Sequence, residues 1–280
     1  MAKKTILNFK KMKEEGKKIT WLSIYDYHTA KFAERAGLDM ILVGDSMGGC
    51  VYGYPDDGMP ITMDQMVTHA DAVRRGAPNT FVMGDLPFMS YEIPEDAIRN
   101  AGRLFKEAGV DCVKPEGGHR IVKSIRAIVD AGMVVSGHIG LLSQSIAQLS
   151  GHRVQGRTHE SALELISEAR AIRDAGASLL CLEAVTIQVA EFITKDLDIP
   201  VLGIASGPNI DGQTLIVNDV LGITENFNVK FYKEYAKLSE IITNAIGMYV
   251  NEVRNGIFPS EENWHSMNED EYKKLIEQLR

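Results

Sequence analysis

Ala36-Gly37-Leu38-Asp39-Met40-Ile41-Leu42-Val43-Gly44-Asp45 returns in outline as Ala108-Gly109-Val110-Asp111-Cys112-Val113-Lys114-Pro115-Glu116. Each copy reads as a helix end, a glycine C-cap, a short apolar strand and then a polar residue at the strand's far end. Ala131-Gly132 leads in the same way into the stretch ending at His138, and Ala175-Gly176 into the one ending at Glu183. A half-unit that repeats like this is what βα units winding in one direction require.

Outward from these copies, short apolar runs occupy 19–24, 40–43, 80–83, 112–113, 133–135, 179–182 and 201–204, with a weaker one around 215–221. Several are continuous rather than alternating, as in parallel strands buried on both faces. Helix-like stretches lie between them at 94–108, 121–131, 160–175 and 187–195; the first opens with Ile93-Pro94-Glu95-Asp96, a helix-start signal. About eight such units predict an α/β fold, a single (β/α)8 barrel filling residues 1–280 as one domain. A doubly wound open sheet is the rival, but no G-x-G-x-x-G follows the first strand. From about residue 260 the chain reads as a polar tail with a short helix over Glu269–Leu279.

Composition narrows the function. The 280 residues are 45% apolar and 24% charged, with a formal net charge of −8. No basic block beyond the short N-terminal run offers a surface for nucleic acid or an anionic membrane. No stretch of 18 apolar residues suggests a membrane span. Cys50, Cys112 and Cys181 have no paired spacing, and the N-terminus has no apolar leader core, so a reducing cytoplasm is expected.

In such a barrel the chemistry sits at the C-terminal ends of the strands. Those ends supply Asp26, Asp45 with Ser46, Asp85, Lys114 with Glu116, His138 and Glu183. An acid at one strand end commonly caps a loop or helix. Several carboxylates at one mouth repel unless a cation offsets them. A hard divalent ion such as Mg2+ is the simplest offset, since cysteines and clustered histidines are too few for zinc. Lys114 suits either a Schiff base or the binding of a substrate carboxylate; Glu116 beside it favours a charged ammonium and the second role. His138, flanked by Ser136-Gly137 and Ile139-Gly140, is drawn towards the pocket, whereas His28, His69, His119, His152, His159 and His265 read as loop or surface residues. Met47, Met59, Met63 and Met66 read as plastic packing around a flap. Gly48-Gly49, Gly53 and Pro55-Asp56-Asp57-Gly58 read as a long loop able to close over the site.

At these residues the chain resembles the ketopantoate hydroxymethyltransferases. The likeness rests on Tyr25-Asp26-Tyr27, Leu42-Val43-Gly44-Asp45-Ser46, Val73-Arg74-Arg75-Gly76-Ala77-Pro78 and Gly84-Asp85-Leu86-Pro87-Phe88-Met89. It continues through Val113-Lys114, Glu116-Gly117-Gly118, Gly137-His138-Ile139-Gly140-Leu141, Val154-Gln155-Gly156-Arg157, Leu182-Glu183 and Asp211-Gly212-Gln213. It spans residues 5–266. The resemblance implies the barrel, Mg2+, and transfer of a one-carbon unit from 5,10-methylenetetrahydrofolate to 3-methyl-2-oxobutanoate. It implies Asp45, Asp85 and Glu116 as metal-associated acids, and Asp45, Ser46, Asp85, Lys114 and His138 around the 2-oxo acid. It further implies Glu183 as the proton-transfer residue and a homodecameric assembly. A metal-dependent aldolase or lyase acting on another 2-oxo acid without folate would share these residues, and a non-catalytic binding subunit is a third reading that the intact acids argue against.

The chain departs from the family pattern at Leu142-Ser143, where Thr-Pro is usual, at Ala205-Ser206, where Gly-Ala is usual, and at Thr186, where proline is usual. Pro115 between Lys114 and Glu116 is also unusual. The first three lie towards the strand-five to strand-seven side, where a second pocket for the one-carbon donor is expected near Leu142-Ser143 and Ala205-Ser206. Asp85→Ala is expected to abolish metal-dependent binding while sparing the fold.

Overall fold

Alternation along the strands sets the architecture. β1 (Ile19–Ser23), β2 (Met40–Val43), β3 (Phe81–Asp85), β4 (Cys112–Lys114), β5 (Ser136–Gly140), β6 (Leu179–Glu183), β7 (Val201–Ile204) and β8 (Gly212–Gln213) are all parallel, in the order β4-β3-β2-β1-β8-β7-β6-β5. The two end strands approach each other through a bridge between Val113 and Val135, with Val113 N donating to Val134 O at 3.0 Å. The ring is thus a nearly closed barrel. The computed structural model describes residues 3–55, 58–149, 151–225 and 229–280.

Every second strand residue points into the barrel. Ile19, Trp21, Met40, Leu42, Phe81, Met83, Cys112, Leu179, Cys181 and Leu202 form the inner cluster. Ile41, Val43, Val82, Val113, Leu180, Leu182 and Val201 take the other parity and pack in the larger cluster shared with the helices. The inner row does not stop at the apolar layers. Phe81 and Met83 are followed at the same parity by Asp85, Cys112 by Lys114 and Glu116, and Leu179 and Cys181 by Glu183. One periodicity therefore fills the lower barrel with hydrocarbon and its upper mouth with charge.

The helix Ile6–Glu14 closes the lower end, with Phe9 fully buried and edge-on to Phe81 at 5.2 Å between ring centroids. Burying a ring of this size contributes roughly 1.5–3 kcal/mol. Helices Tyr27–Ala36, Met63–Gly76, Pro94–Glu107, Val122–Asp130, His159–Asp174 and Ile187–Asp196 follow the first six strands. The glycines of the repeated half-unit, Gly37, Gly109, Gly132 and Gly176, all take positive φ between 66° and 98°, the left-handed turn at the end of each preceding helix. The Arg74 of the family-like motif is structural: it pairs with Asp111, whose carboxylate also accepts from Val82 N at 2.9 Å, and its Nε donates to Gly109 O at 2.9 Å.

Several expectations are corrected. The run at 133–135 leads up to β5 rather than forming it; the strand is the small-residue stretch Ser136–Gly140. The eighth strand is Gly212–Gln213, and part of the 215–221 run is instead the short helix Val217–Val220. Residues 205–211 connect β7 to β8 without a helix. The tail helix Glu269–Leu279 forms where expected, but a longer helix, Leu238–Arg254, was not foreseen, and none of its residues is buried. Among the described residues no helix is long and apolar enough to cross a membrane.

Candidate active site

The strand-end residues meet at one mouth. Asp85 ends β3 directly opposite Lys114 at the end of β4, and Lys114 Nζ lies 2.8 Å from Asp85 Oδ1. Lys114 Nζ is also 3.4 Å from His138 Nδ1, which in turn is 3.5 Å from Glu116 Oε2. On its other side His138 Nε2 stands 3.4 Å from Glu183 Oε2. Asp45, just past β2, donates its backbone N–H to Asp85 Oδ2 at 3.2 Å. Asp45, Asp85, Lys114, Glu116 and His138 are all buried, while the Glu183 side chain keeps 29% of its surface in solvent. Ser46 is half-buried and its Oγ lies 2.8 Å from the Tyr25 hydroxyl.

Asp26 is not part of this cluster. Its carboxylate accepts from Thr29 N at 2.9 Å and caps the helix Tyr27–Ala36. His69 is not a loop residue either: it lies in the helix Met63–Gly76, with Nδ1 2.6 Å from Tyr25 O and Nε2 2.9 Å from the Tyr52 hydroxyl. Met47 and Met66 are core, and Gly48-Gly49 belongs to the short helix Met47–Cys50 rather than to a loop. Asp56 and Asp57 of the expected closing loop lie outside the described residues.

Two residues that sequence reasoning missed tie the acids together. Gln144 donates Nε2 to Asp45 Oδ2 at 2.7 Å and its backbone N–H to Glu116 Oε1 at 2.7 Å. Tyr91 donates to Gln144 Oε1 at 2.5 Å and accepts from Glu116 N at 3.3 Å. Both are buried. Tyr91 stands in a loop and Gln144 in the short 3-10 helix Ser143–Ser145, both far from Asp45 and Glu116 along the chain, so no local spacing marks them.

The charges balance unevenly. Burial lowers the Lys114 ammonium pKa, but Asp85 and the other acids outweigh it and hold the group charged. His138 is pushed down by burial and by Lys114, yet its bonds to Glu116 and Glu183 carry it up to about 9. Burial raises Glu116, but the His138 bond and the charges on His138 and Lys114 bring it below the usual range. Asp45 is the member left short of positive charge: burial first, then Asp85 and Glu116, push it up to about 7.

These features fit a hard cation. Among the described residues no three His, Cys, Asp or Glu side chains form a ready-made cage. Mg2+ does not ask for one, because it keeps several waters and typically takes one or two carboxylates. The undercompensated Asp45, the adjoining Asp85 and the nearby Glu116 carboxylate form an all-oxygen donor set. Asp45 and Asp85 are the residues able to hold such an ion, with Glu116 adding charge.

Residues 3–261 match the sequence profile of the family described as ketopantoate hydroxymethyltransferase. The chain belongs to that family. The 3-methyl-2-oxobutanoate hydroxymethyltransferase of Alkaliphilus metalliredigens (strain QYMF) is 49% identical over 99% of this chain and 99% of its own. The protein of that name from Geotalea uraniireducens (strain Rf4) is 48% identical over 92% of this chain and 97% of its own. The ketopantoate hydroxymethyltransferase family is joined in fold by more distant structures. A 2,3-dimethylmalate lyase, from the PEP mutase/isocitrate lyase superfamily, superimposes with TM-score 0.60 at 19% identity, covering 98% of both chains. A phosphonopyruvate hydrolase solved with oxalate and Mg++ gives TM-score 0.61 at 14% identity, covering 100% of this chain and 97% of that one.

Two features of this family member carry predictions. A Cβ at Gly58 would stand 2.6 Å from Asp45 Cγ, so the loop after β2 presses its backbone against that carboxylate. Gly58→Ala is expected to displace Asp45 and, since misplacement by about 1 Å can cost ~10²-fold, to lower kcat/KM by at least about tenfold. Wild-type kinetics in this variant would show that Asp45 is free to move. Ala205 occupies the usual glycine position with φ 55°. The left-handed conformation costs a non-glycine residue roughly 1–2 kcal/mol, and glycine gives back about 0.4–1 kcal/mol through the unfolded chain. Ala205→Gly should therefore stabilise the protein by a net ~0.5 kcal/mol, read as a small rise in Tm; a fall would mean the methyl makes contacts worth more than the strain.

Proposed function

We propose that the chain transfers a hydroxymethyl group from 5,10-methylenetetrahydrofolate to 3-methyl-2-oxobutanoate, forming 2-dehydropantoate in pantothenate biosynthesis. The observation that carries this reading is the buried row of Asp45, Asp85, Glu116, Lys114 and His138 with the half-exposed Glu183 at its rim. Mg2+ held by Asp45 and Asp85, with Glu116 in attendance, would supply Lewis-acid polarisation of the oxo acid's carbonyl. Lys114, kept charged by its acids, holds the substrate carboxylate and fixes its orientation. Ser46 offers a hydroxyl to the same substrate. Glu183 takes the C3 proton as general base, and His138, shared between Glu116 and Glu183, aims it. The C3 carbon then bonds to the methylene carbon of the donor, the two carbon–nitrogen bonds break, and water supplies the hydroxyl group, while the proton taken from C3 and the other water proton pass to the two donor nitrogens and tetrahydrofolate leaves.

The reading extends to the setting. We treat residues 1–280 as one barrel unit acting in the cytoplasm as a homo-oligomer, a decamer by family resemblance. The buried Cys112 and Cys181 thiols suit a reducing compartment. The helix Leu238–Arg254, with Ile241, Ile246, Met248 and Tyr249 all exposed, suits a chain that associates with copies of itself.

The test is an assay of 3-methyl-2-oxobutanoate consumption with Mg2+, with and without 5,10-methylenetetrahydrofolate. Product formation that depends on both supports the reading. Deuterium exchange at C3 with no transfer from any reduced folate would hand the site to a metal-dependent aldolase.

A further inference from the structure

The loops after β2, β3, β4 and β5 enclose a cleft of about 450 Å3 whose lining includes Met59, Phe88, Met89, Tyr91, Arg120 and Gln144. Those are the four strands whose ends supply Asp45, Asp85, Lys114 with Glu116, and His138. The cleft's floor is the pair Tyr91 and Gln144, whose other atoms bond Glu116 and Asp45. It is therefore an antechamber separated from the buried acids by two side chains.

Its walls suit a flat, partly apolar ligand larger than an oxo acid. Phe88 is 40% and Met89 64% exposed, an aromatic face and a thioether left in solvent beside each other, and Met89 is held there at φ 63°. The one carboxylate in the lining, Glu92, is already engaged: its two oxygens accept from Met89 N and Tyr91 N, each at 3.1 Å. Arg120 is different. Its guanidinium donates only to neutral oxygens, Gln148 Oε1 at 3.1 Å and Ser145 Oγ at 2.8 Å. Its charge is felt by Glu168. Among the described residues, however, no carboxylate lies within ion-pairing distance of it. A guanidinium has five donors arranged to take a carboxylate in a fork, so this cation stands ready for an anionic group at the mouth of an apolar cleft.

We propose that this cleft seats the one-carbon donor, with the pterin ring against Phe88 and Met89 and a carboxylate of the glutamate tail on Arg120. The assignment rests on the folate reading above and deepens it. It also refines where the donor's pocket was expected. Gln144 and Ser145, next to Leu142-Ser143, border the cleft, whereas Ala205 and Ser206 do not line it.

The test uses the full-length protein and 5-methyltetrahydrofolate, which binds without transferring, measured by calorimetry beside tetrahydropteroate, which lacks the glutamate. Arg120→Met should weaken 5-methyltetrahydrofolate by about tenfold or more, the loss expected for a hydrogen-bonded charge pair, and leave tetrahydropteroate unchanged. Phe88→Ala should weaken both. Folding of each variant is checked by its circular dichroism spectrum and a Tm within a few degrees of wild type. Transfer by the wild-type protein together with unaltered affinity in Arg120→Met, or equal loss for both ligands, overturns the cleft assignment alone. Failure of the wild-type protein to bind any reduced folate or to transfer from it overturns the folate reading, and this assignment with it.

Discussion

Asp85→Ala is expected to cost the protein about 3–5 kcal/mol of stability and to remove Mg2+-dependent affinity for 3-methyl-2-oxobutanoate. The first effect follows from the pair it breaks, because Lys114 would be left a buried cation without its 2.8 Å partner. Sequence alone suggests that this substitution spares the fold, and the buried pair says otherwise. Asp85→Asn also lacks the negative charge but keeps the shape and an amide oxygen within reach of Lys114 Nζ and Asp45 N, so it should lose less stability than Asp85→Ala. In that variant calorimetry should still register at least about a 100-fold loss of oxo-acid affinity in Mg2+, since the carboxylate proposed to hold the ion has been replaced by an amide. Unchanged affinity in Asp85→Asn would remove Asp85 from the binding of metal and substrate.

Glu183→Gln should leave oxo-acid binding close to wild type and slow C3 deuterium exchange by about 10²-fold or more, the usual contribution of a positioned base. The glutamine preserves a polar contact 3.4 Å from His138 Nε2 but cannot take a proton. A variant that binds and exchanges normally would assign the base elsewhere, with His138 the next group in reach. A variant that loses binding as well would make Glu183 part of the chelating site instead.

Much of this arrangement is legible in the sequence, for one physical reason. A barrel strand that places Phe81 and Met83 inward must place Asp85 inward as well, and the same parity runs from Leu179 through Cys181 to Glu183. Once the helix–glycine–strand unit is recognised, the charged residue beyond each apolar run falls at the mouth. The misreadings arise where hydrophobicity and strand do not coincide. Ser136-Gly137-His138-Ile139-Gly140 carries little hydrocarbon, so the apolar run places the strand too early at 133–135, yet the stretch is fully buried, and Gly137 lets Ile172 approach so closely that a Cβ would stand 2.3 Å from its Cγ2. Asp26 looks like a strand-end acid because a helix cap and a catalytic acid occupy the same place after β1. Tyr91 and Gln144 escape altogether, because what makes them part of the site is a bond to an acid on another strand, 99 residues away for Gln144 and Asp45. Such contacts leave no periodicity to read.

Two of the departures from the family pattern, Thr186 and Ser206, meet at the turn after β6. Ser206 Oγ, from the end of β7, accepts from Val185 N at 3.2 Å and lies 3.0 Å from Leu182 O, so it grips the chain on both sides of Glu183. Thr186 Oγ1 donates to Gly156 O at 2.9 Å, and Leu141 N donates to Glu183 O at 2.8 Å. The turn bearing Glu183, the proposed general base, is therefore held by side chains and backbone from the strands on either side. A chimera that imports the loop after β6 from a relative would carry the glutamate without its clamp, and one that imports only the loop after β7 would remove the clamp and leave the glutamate. For recombination between members of this family, Leu141 and the segments 183–186 and 205–206 form one inheritable block, although the chain delivers it in three pieces.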